Sequence, residues 1–329
     1  MELMWFSAAV LASALCAGVM GFAIQRGATC TVAAVDEVLN KRRANRLLAM
    51  GEASLWVAGG LALASFAGWH AVMPAAYPVS AWVVIGGALL GLGAWVEKAC
   101  VFGAVARFGS GDWSYAATPV GFYVGCLSVS RVFAPPAAQK LAEASPVLEA
   151  ATIVAWIFIL FAAWRLLPPL WSARYQANAR QHLAARVWAP HAATGVIGVT
   201  FVLILLLVGV WAYTDVLAQL AHGLTARLAL GVAFLMALYL GAVLGGWTAG
   251  RLGSTPATIR SVLRCFGGGL LMGWGSLLIP GSNDGLILIG MPLLRPYAWI
   301  GFATMCLTIA AAMLAQRSLA QMHWRRSAT

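Results

Sequence analysis

Charge is what this sequence has least of. Among 329 residues there are 21 Lys or Arg and 10 Asp or Glu, 9% charged in all. A soluble domain of this length carries about a quarter charged residues. Here 62% of the residues are hydrophobic and the mean hydropathy is +0.84, more apolar surface than a water-facing fold can bury. That excludes a soluble globular domain and leaves a polytopic membrane protein. A Walker motif is missing too, so ATP does not drive the protein directly. Cys16, Cys30, Cys100, Cys126, Cys265 and Cys306 form no CxxC and no paired metal spacing, which argues against zinc or an iron–sulfur cluster. The histidines at 70, 182, 191, 222 and 323 fall mostly near polar joints and give haem or quinone chemistry little support. The expectation is therefore a chain with no metal and no cofactor. No basic amphipathic domain with interleaved aromatics occurs, so the net charge of +11 does not point to nucleic acid.

The basic residues that are present cluster in three joints: Lys41 to Arg46, Arg165 to Arg186, and Arg317 to Arg326. This is the pattern of cytoplasmic loops under the positive-inside rule. Between them lie apolar runs at about 4–26, 47–70, 80–108, 115–133, 147–167, 193–213, 224–250, 261–290 and 296–316, each long enough to span a bilayer. The first is read as a span and not a removable leader, since no basic n-region precedes it. Two runs, 80–108 and 261–290, are rich in glycine and interrupted by polar residues. Counting each as one broken crossing gives about nine transmembrane segments, with the N-terminus outside and all three basic joints on the cytoplasmic side. Counting them as re-entrant hairpins would put basic joints on opposite faces. A small amphipathic surface helix is expected within Trp171 to His191.

The two interrupted runs repeat one another. Gly87, Gly91, Gly93 and Gly103 recur as Gly269, Gly273, Gly275 and Gly285, Cys100 as Ser282, and Tyr115 as Tyr297, all at an offset of 182. The crossing count makes the two copies run in opposite directions. The expected fold is an all-α membrane protein of two inverted pseudo-symmetric halves, with broken helices meeting at a central constriction. Residues 1–143 form the first repeat, 144–190 the connecting span and basic loop, and 191–329 the second repeat. Inverted repeats with interrupted helices are frequent in transporters, and the interruptions mark the substrate path. Close helix packing also selects glycine. It explains a GxxxG, but not a polar break at the same place in both copies.

Irregular backbone inside a membrane survives only where protein or water meets its freed N–H and C=O groups. Breaks near Glu97-Lys98-Ala99 and Ile279-Pro280-Gly281 should therefore line a cavity, with half-helices aiming amide N–H groups at its centre. Cys100 would sit on one tip, and Ser282, Asn283 and Asp284 on the other. Asp284 would repel an anion unless paired or protonated. Lys98 could attract an anion, or Glu97 and Lys98 could neutralise each other or snorkel. Ser282 and Asn283 could cap a helix start, touch substrate, or both. At the end of the first span, Gln25, Arg26 and Cys30 form a third polar group, in which Arg26 reads as an interfacial anchor. Cys16, Cys126 and Cys306 read as packing residues, and Cys265 stays unassigned.

Three stretches, GFAIQRGATC from Gly21, GLGAWVEKACVFGAVARFGSGDWSY from Gly91 and GGGLLMGWGSLLIPGSNDG from Gly267, together resemble the YeeE/YedE family of sulfur-transport membrane proteins. The resemblance implies an hourglass of two halves in a bacterial inner membrane, importing thiosulfate through a narrow centre where cysteines pass the anion along by S–H···S hydrogen bonds. It also implies a small cytoplasmic sulfurtransferase of the TusA type as partner, and selenium metabolism for some relatives. Cys30 and Cys100 match two of the family's cysteines. The third falls at Gly281-Ser282, where this chain has serine, so its thiol relay is incomplete. The implied permeation residues are Cys30, Cys100, Gly281, Ser282, Asn283, Gln25 and Lys98, with no catalytic residue. On this view Cys100 and Ser282 face each other, and Cys30 lies towards one mouth. Alternatives are an intramembrane sulfurtransferase using Cys100, a carrier of another sulfur or selenium oxyanion, and a membrane scaffold for a cytosolic sulfur carrier.

Overall fold

The computed structural model describes residues 2–69, 73–133, 141, 145–175, 186–223, 228–279 and 283–327. Among these every regular element is helical. In chain order they are α1 (Glu2–Gly27), α2 (Thr31–Lys41), α3 (Asn45–Phe66), α4 (Ala81–Glu97), α5 (Val101–Gly109), a 3₁₀ turn (Trp113–Ala116) and α6 (Ala117–Val132). After a short turn at Pro146–Glu149 come α7 (Ala151–Tyr175), α8 (Pro190–Val208), α9 (Tyr213–Ala221), α10 (Leu228–Thr248) and α11 (Ile259–Leu278). The chain ends with α12, three residues from Asn283 that continue as a π-helical turn over Leu286–Gly290, and α13 (Pro296–Ser327). Among the described residues six segments are long and apolar enough to cross a membrane: Ser7–Lys41, Asn45–Phe66, Ala81–Gly109, Pro190–Val208, Leu228–Thr248 and Pro296–Met322. This is a multi-pass membrane protein.

The elements follow from what their residues can bury. Helices α1, α3, α8 and α10 have almost no amphipathic stripe because apolar side chains surround them, as expected where one face meets protein and the other lipid. Without water, apolar burial does not drive their association, so close backbone approach and dispersion have to. Glycine supplies that approach. Helices α4 and α11 lie antiparallel at the centre: Gly86 faces Gly275 and Ile279, while Gly93 faces Gly268. A Cβ on Gly93 would come 2.6 Å from the Gly268 carbonyl oxygen, and one on Gly275 would come 2.6 Å from that of Gly86. Gly87 and Gly91 seat α4 against α13, and Gly269 and Gly273 seat α11 against α6. The repeated glycines are thus contact points between helices. Around this seam α1 packs beside α10, and α3 beside α8.

Among the described residues each of the nine apolar runs lies mostly on helix, and the run 80–108 is broken after Glu97 as expected. The surface helix expected within 171–191 cannot be placed, because 176–185 lie outside the described residues; α7 extends to Tyr175 before them.

Two glycines of this region separate packing from helix propensity. Gly93→Ala should lower thermal stability in detergent, by about 1–3 kcal/mol if α4 and α11 must part to admit the methyl group. Gly267→Ala, where a Cβ meets nothing within 4 Å, should leave it unchanged or raise it by about 0.5–1 kcal/mol.

Candidate functional site

Both breaks in the first half have one local construction. At the end of α4 the amide of Lys98 bonds the Trp95 carbonyl at 3.2 Å and that of Ala99 the Ala94 carbonyl at 3.0 Å. This double closure needs a left-handed residue, and Lys98 supplies it at φ +65°. A lysine held there costs about 1 kcal/mol. At the end of α1 the amide of Ala28 bonds the Gln25 carbonyl and that of Thr29 the Ile24 carbonyl, both at 3.2 Å, with Ala28 at φ +45°. In each case one residue follows and then a cysteine in extended conformation opens the next helix: Cys30 for α2 and Cys100 for α5. Their side chains do not cap those helices.

The two helix starts converge. The amide of Thr31, first residue of α2, donates to Cys100 Sγ at 3.1 Å, and the thiols of Cys30 and Cys100 lie side by side. Cys100 is fully buried and Cys30 nearly so; both are free thiols. Gly103 makes the room, since a Cβ there would stand 2.6 Å from Cys30 Sγ. Two helix N-termini therefore aim their positive dipole ends at one pair of sulfurs. The carbonyl freed at Glu97 receives the Tyr115 hydroxyl at 2.7 Å, so the break leaves that group satisfied.

Cys30 forms part of the floor of a cavity of about 940 Å³ that also takes in Gln25, Lys98, Arg46, Arg107 and Arg251. Arg317 and Asp36 stand on its rim and pair with each other at 3.7 Å. Its charge is strongly positive. Behind Cys100 the interior closes: Ile24, Phe102, Phe201 and Leu238 surround a void of only about 10 Å³ that reaches Asp284. At that end the starts of α9 and α12 meet a carboxylate in place of thiols. Asp284 accepts the Thr214 amide at 3.3 Å, the Thr214 hydroxyl, and the amide of Gly285 at 3.0 Å. Beyond it a pocket of about 100 Å³ holds Asp215 and Gln219 and, among the described residues, no basic one.

The structure brings Cys30, Cys100, Gln25 and Lys98 to one cavity region. Gly281 and Ser282 lie outside the described residues, as does the side chain of Asn283, whose backbone starts α12. The expected pairing of Cys100 with Ser282 thus falls outside the described residues; Cys30 lines the open cavity and is also the neighbour of Cys100. Two expectations are corrected. Glu97 and Lys98 do not neutralise each other: the left-handed turn at Lys98 sends its side chain to the exposed cavity wall, while Glu97 is buried beside Thr118, 3.1 Å from its hydroxyl. Arg26 is no interfacial anchor. It is 2% exposed, donates to Thr248 Oγ1 at 2.8 Å and lies over the Phe22 ring, joining α1 to α10. The sequence placed Arg46 in a basic joint that orients the chain and gave neither it nor Arg107 and Arg251 a place in the site, because residues so distant in the chain show no common pattern until folded. Cys265 is buried in α11, and no described contact gives it a function.

A family model described as sulphur transport matches residues 26–311, most of the chain. No curated protein matches it.

Access differs between the two thiols. In variants keeping only one of them, a charged, membrane-impermeant maleimide should modify Cys30 faster than Cys100. Equal rates would mean that the cavity floor lies deeper than the structure has it.

Proposed function

This chain belongs to the sulphur-transport family, and on that footing we propose that it imports a small sulfur-containing anion, thiosulfate, through the constriction at Cys30 and Cys100. The observation that carries the reading is the convergence of two helix starts on neighbouring thiols at the foot of a basic cavity. Within the constriction the anion meets amide N–H groups and thiols, donors weak enough to release it again. Lys98, Arg107 and Arg251 then draw it onward into the basic cavity. Cysteine acts here as a hydrogen-bond donor and packing surface. Ser282, in the place of a third cysteine, would donate through a hydroxyl.

The reading assigns the chain nine crossings in two inverted halves, residues 1–143 and 191–329, joined through 144–190. Three features support it. Elements α1 to α5 recur in order as α8 to α12 at the sequence offset of 182. The packing repeats as well, with α1 on α10 answered by α8 on α3, and α11 on α6 answered by α13 on α4. The corresponding helices α4 and α11 are antiparallel, as inversion requires. On this reading the protein sits in a bacterial inner membrane with its N-terminus outside. The basic cavity opens to the cytoplasm, where a TusA-type carrier would collect the product.

Uptake by reconstituted liposomes, compared for thiosulfate, sulfate, sulfite and selenite, tests the substrate. Thiosulfate should be preferred. Cys100→Ala should abolish uptake at normal protein level, and undiminished uptake would remove Cys100 from the path. Arg107→Gln and Arg251→Gln should each raise the apparent KM by up to about fivefold, the effect of about 1 kcal/mol per exposed charge pair. Ser282→Cys should speed thiosulfate uptake if the serine was selected for another anion. The closeness of Cys30 and Cys100 favours a second reading, sulfur transfer onto Cys100. Under it, mass spectrometry of the purified protein would find a reductant-sensitive persulfide.

A further inference from the structure

Glu97 is the last residue of α4, is fully buried, and carries one carboxyl oxygen, Oε1, with no hydrogen-bond partner among the described residues. Its other oxygen accepts only the Thr118 hydroxyl. The space it fills is shaped for it, since a Cβ on Gly268 would come 2.7 Å from Glu97 Cβ. Half-satisfied burial is costly for a carboxylate, by several kcal/mol. The site also lies at a helix C-terminus, where the carbonyl ends oppose negative charge. An ionisable group so placed within a membrane is a candidate functional site.

Its surroundings connect it to the anion path. Glu97 stands three residues before Cys100 in the same break and within electrostatic reach of it. Arg107 of α5 and Arg264 of α11 act on it through space, and no described ion pair joins either of them to it. The other titratable groups acting on it are Cys265 of α11, Tyr115 of the 3₁₀ turn, Tyr213 of α9 and Tyr239 of α10. Arg107 also lines the basic cavity.

We propose that Glu97 binds a proton as the anion reaches Cys100, so that proton and anion occupy the protein together. The proposal rests on the transport reading above. Two effects act in the same direction. A negative charge beside Cys100 opposes a second one on Glu97, and an anion in the cavity draws the Arg107 guanidinium towards itself. Each favours the neutral acid. By linkage, a proton on Glu97 tightens anion binding by the same factor. The step is Glu97 carboxylate plus a proton giving the carboxylic acid, with no redox change.

Calorimetric titration of sodium thiosulfate into the full chain in detergent, repeated in buffers of different ionisation enthalpy, counts the protons exchanged. Thiosulfate is fully ionised near neutral pH, so a proton taken up belongs to the protein. Repeated across a pH series that reaches values where Glu97 is ionised in the anion-free protein, the titration of the wild type should show uptake of a proton there, with affinity rising by up to about tenfold for each unit that pH falls. Glu97→Gln should bind thiosulfate with no proton uptake and little pH dependence. Binding without proton uptake by the wild type at every pH of the series overturns the proposal, as does undiminished uptake in Glu97→Gln. No thiosulfate binding by the wild type removes the transport reading and this proposal with it, a result plainly different from binding without protons. If Glu97→Gln does not fold, the infrared difference spectrum of the wild type on adding thiosulfate decides. A gained carboxylic-acid C=O band that shifts in Glu97→Asp supports the assignment, and its absence overturns it.

Discussion

A helix interrupted inside a membrane must find partners for the backbone groups it frees, and much of the interior here is arranged around that requirement. The end of α4 is closed by backbone bonds from Lys98 and Ala99 and by the Tyr115 hydroxyl on the Glu97 carbonyl. In the second half the Ser54 hydroxyl reaches the Ile287 carbonyl in the π-helical turn at 2.6 Å. Each such bond is worth only about 1 kcal/mol when made, yet leaving the group bare in hydrocarbon costs several. The asymmetry between those two figures is what holds a broken helix in a single geometry. Amide N–H groups at the new helix starts are the remainder, and the site is built from them.

The two ends of the molecule treat that remainder differently. In the first half, α2 and α5 turn their starts towards two thiols, next to a cavity lined with arginine and lysine. In the second, α9 and α12 turn theirs towards the carboxyl group of Asp284, an acceptor belonging to the chain itself. The first arrangement has unspent attraction for an anion, while the second has already used it. The two ends of the molecule can therefore act differently on an anion. Repulsion by Asp284, a difficulty when the sequence is read alone, is reduced by the donors gathered around it.

Glycine links this chemistry to the packing. The seam between α4 and α11 carries the breaks at fixed heights because Gly86, Gly93, Gly268 and Gly275 bring the two backbones into contact. Larger residues there would part the helices and separate the elements whose ends form the site. Gly103 does the same work at closer range by giving Cys30 its place beside Cys100.

Much of this was readable from the chain. Hydropathy gave the class, since about twenty apolar residues in sequence have few other solutions than a span. The glycines repeated at 182, with Ser282 standing where the first copy has Cys100, pointed to the breaks, because each such residue answers a local backbone demand. What the chain could not express was which distant groups would meet. That Cys30 joins Cys100, that Arg26 turns inward to Thr248, and that Glu97 and Lys98 part company all depend on helix rotation and on two left-handed turns. Periodicity fixes which residues are apolar and where a helix stops. Contacts between elements are set by the packing of whole helices, and only the folded molecule contains that information.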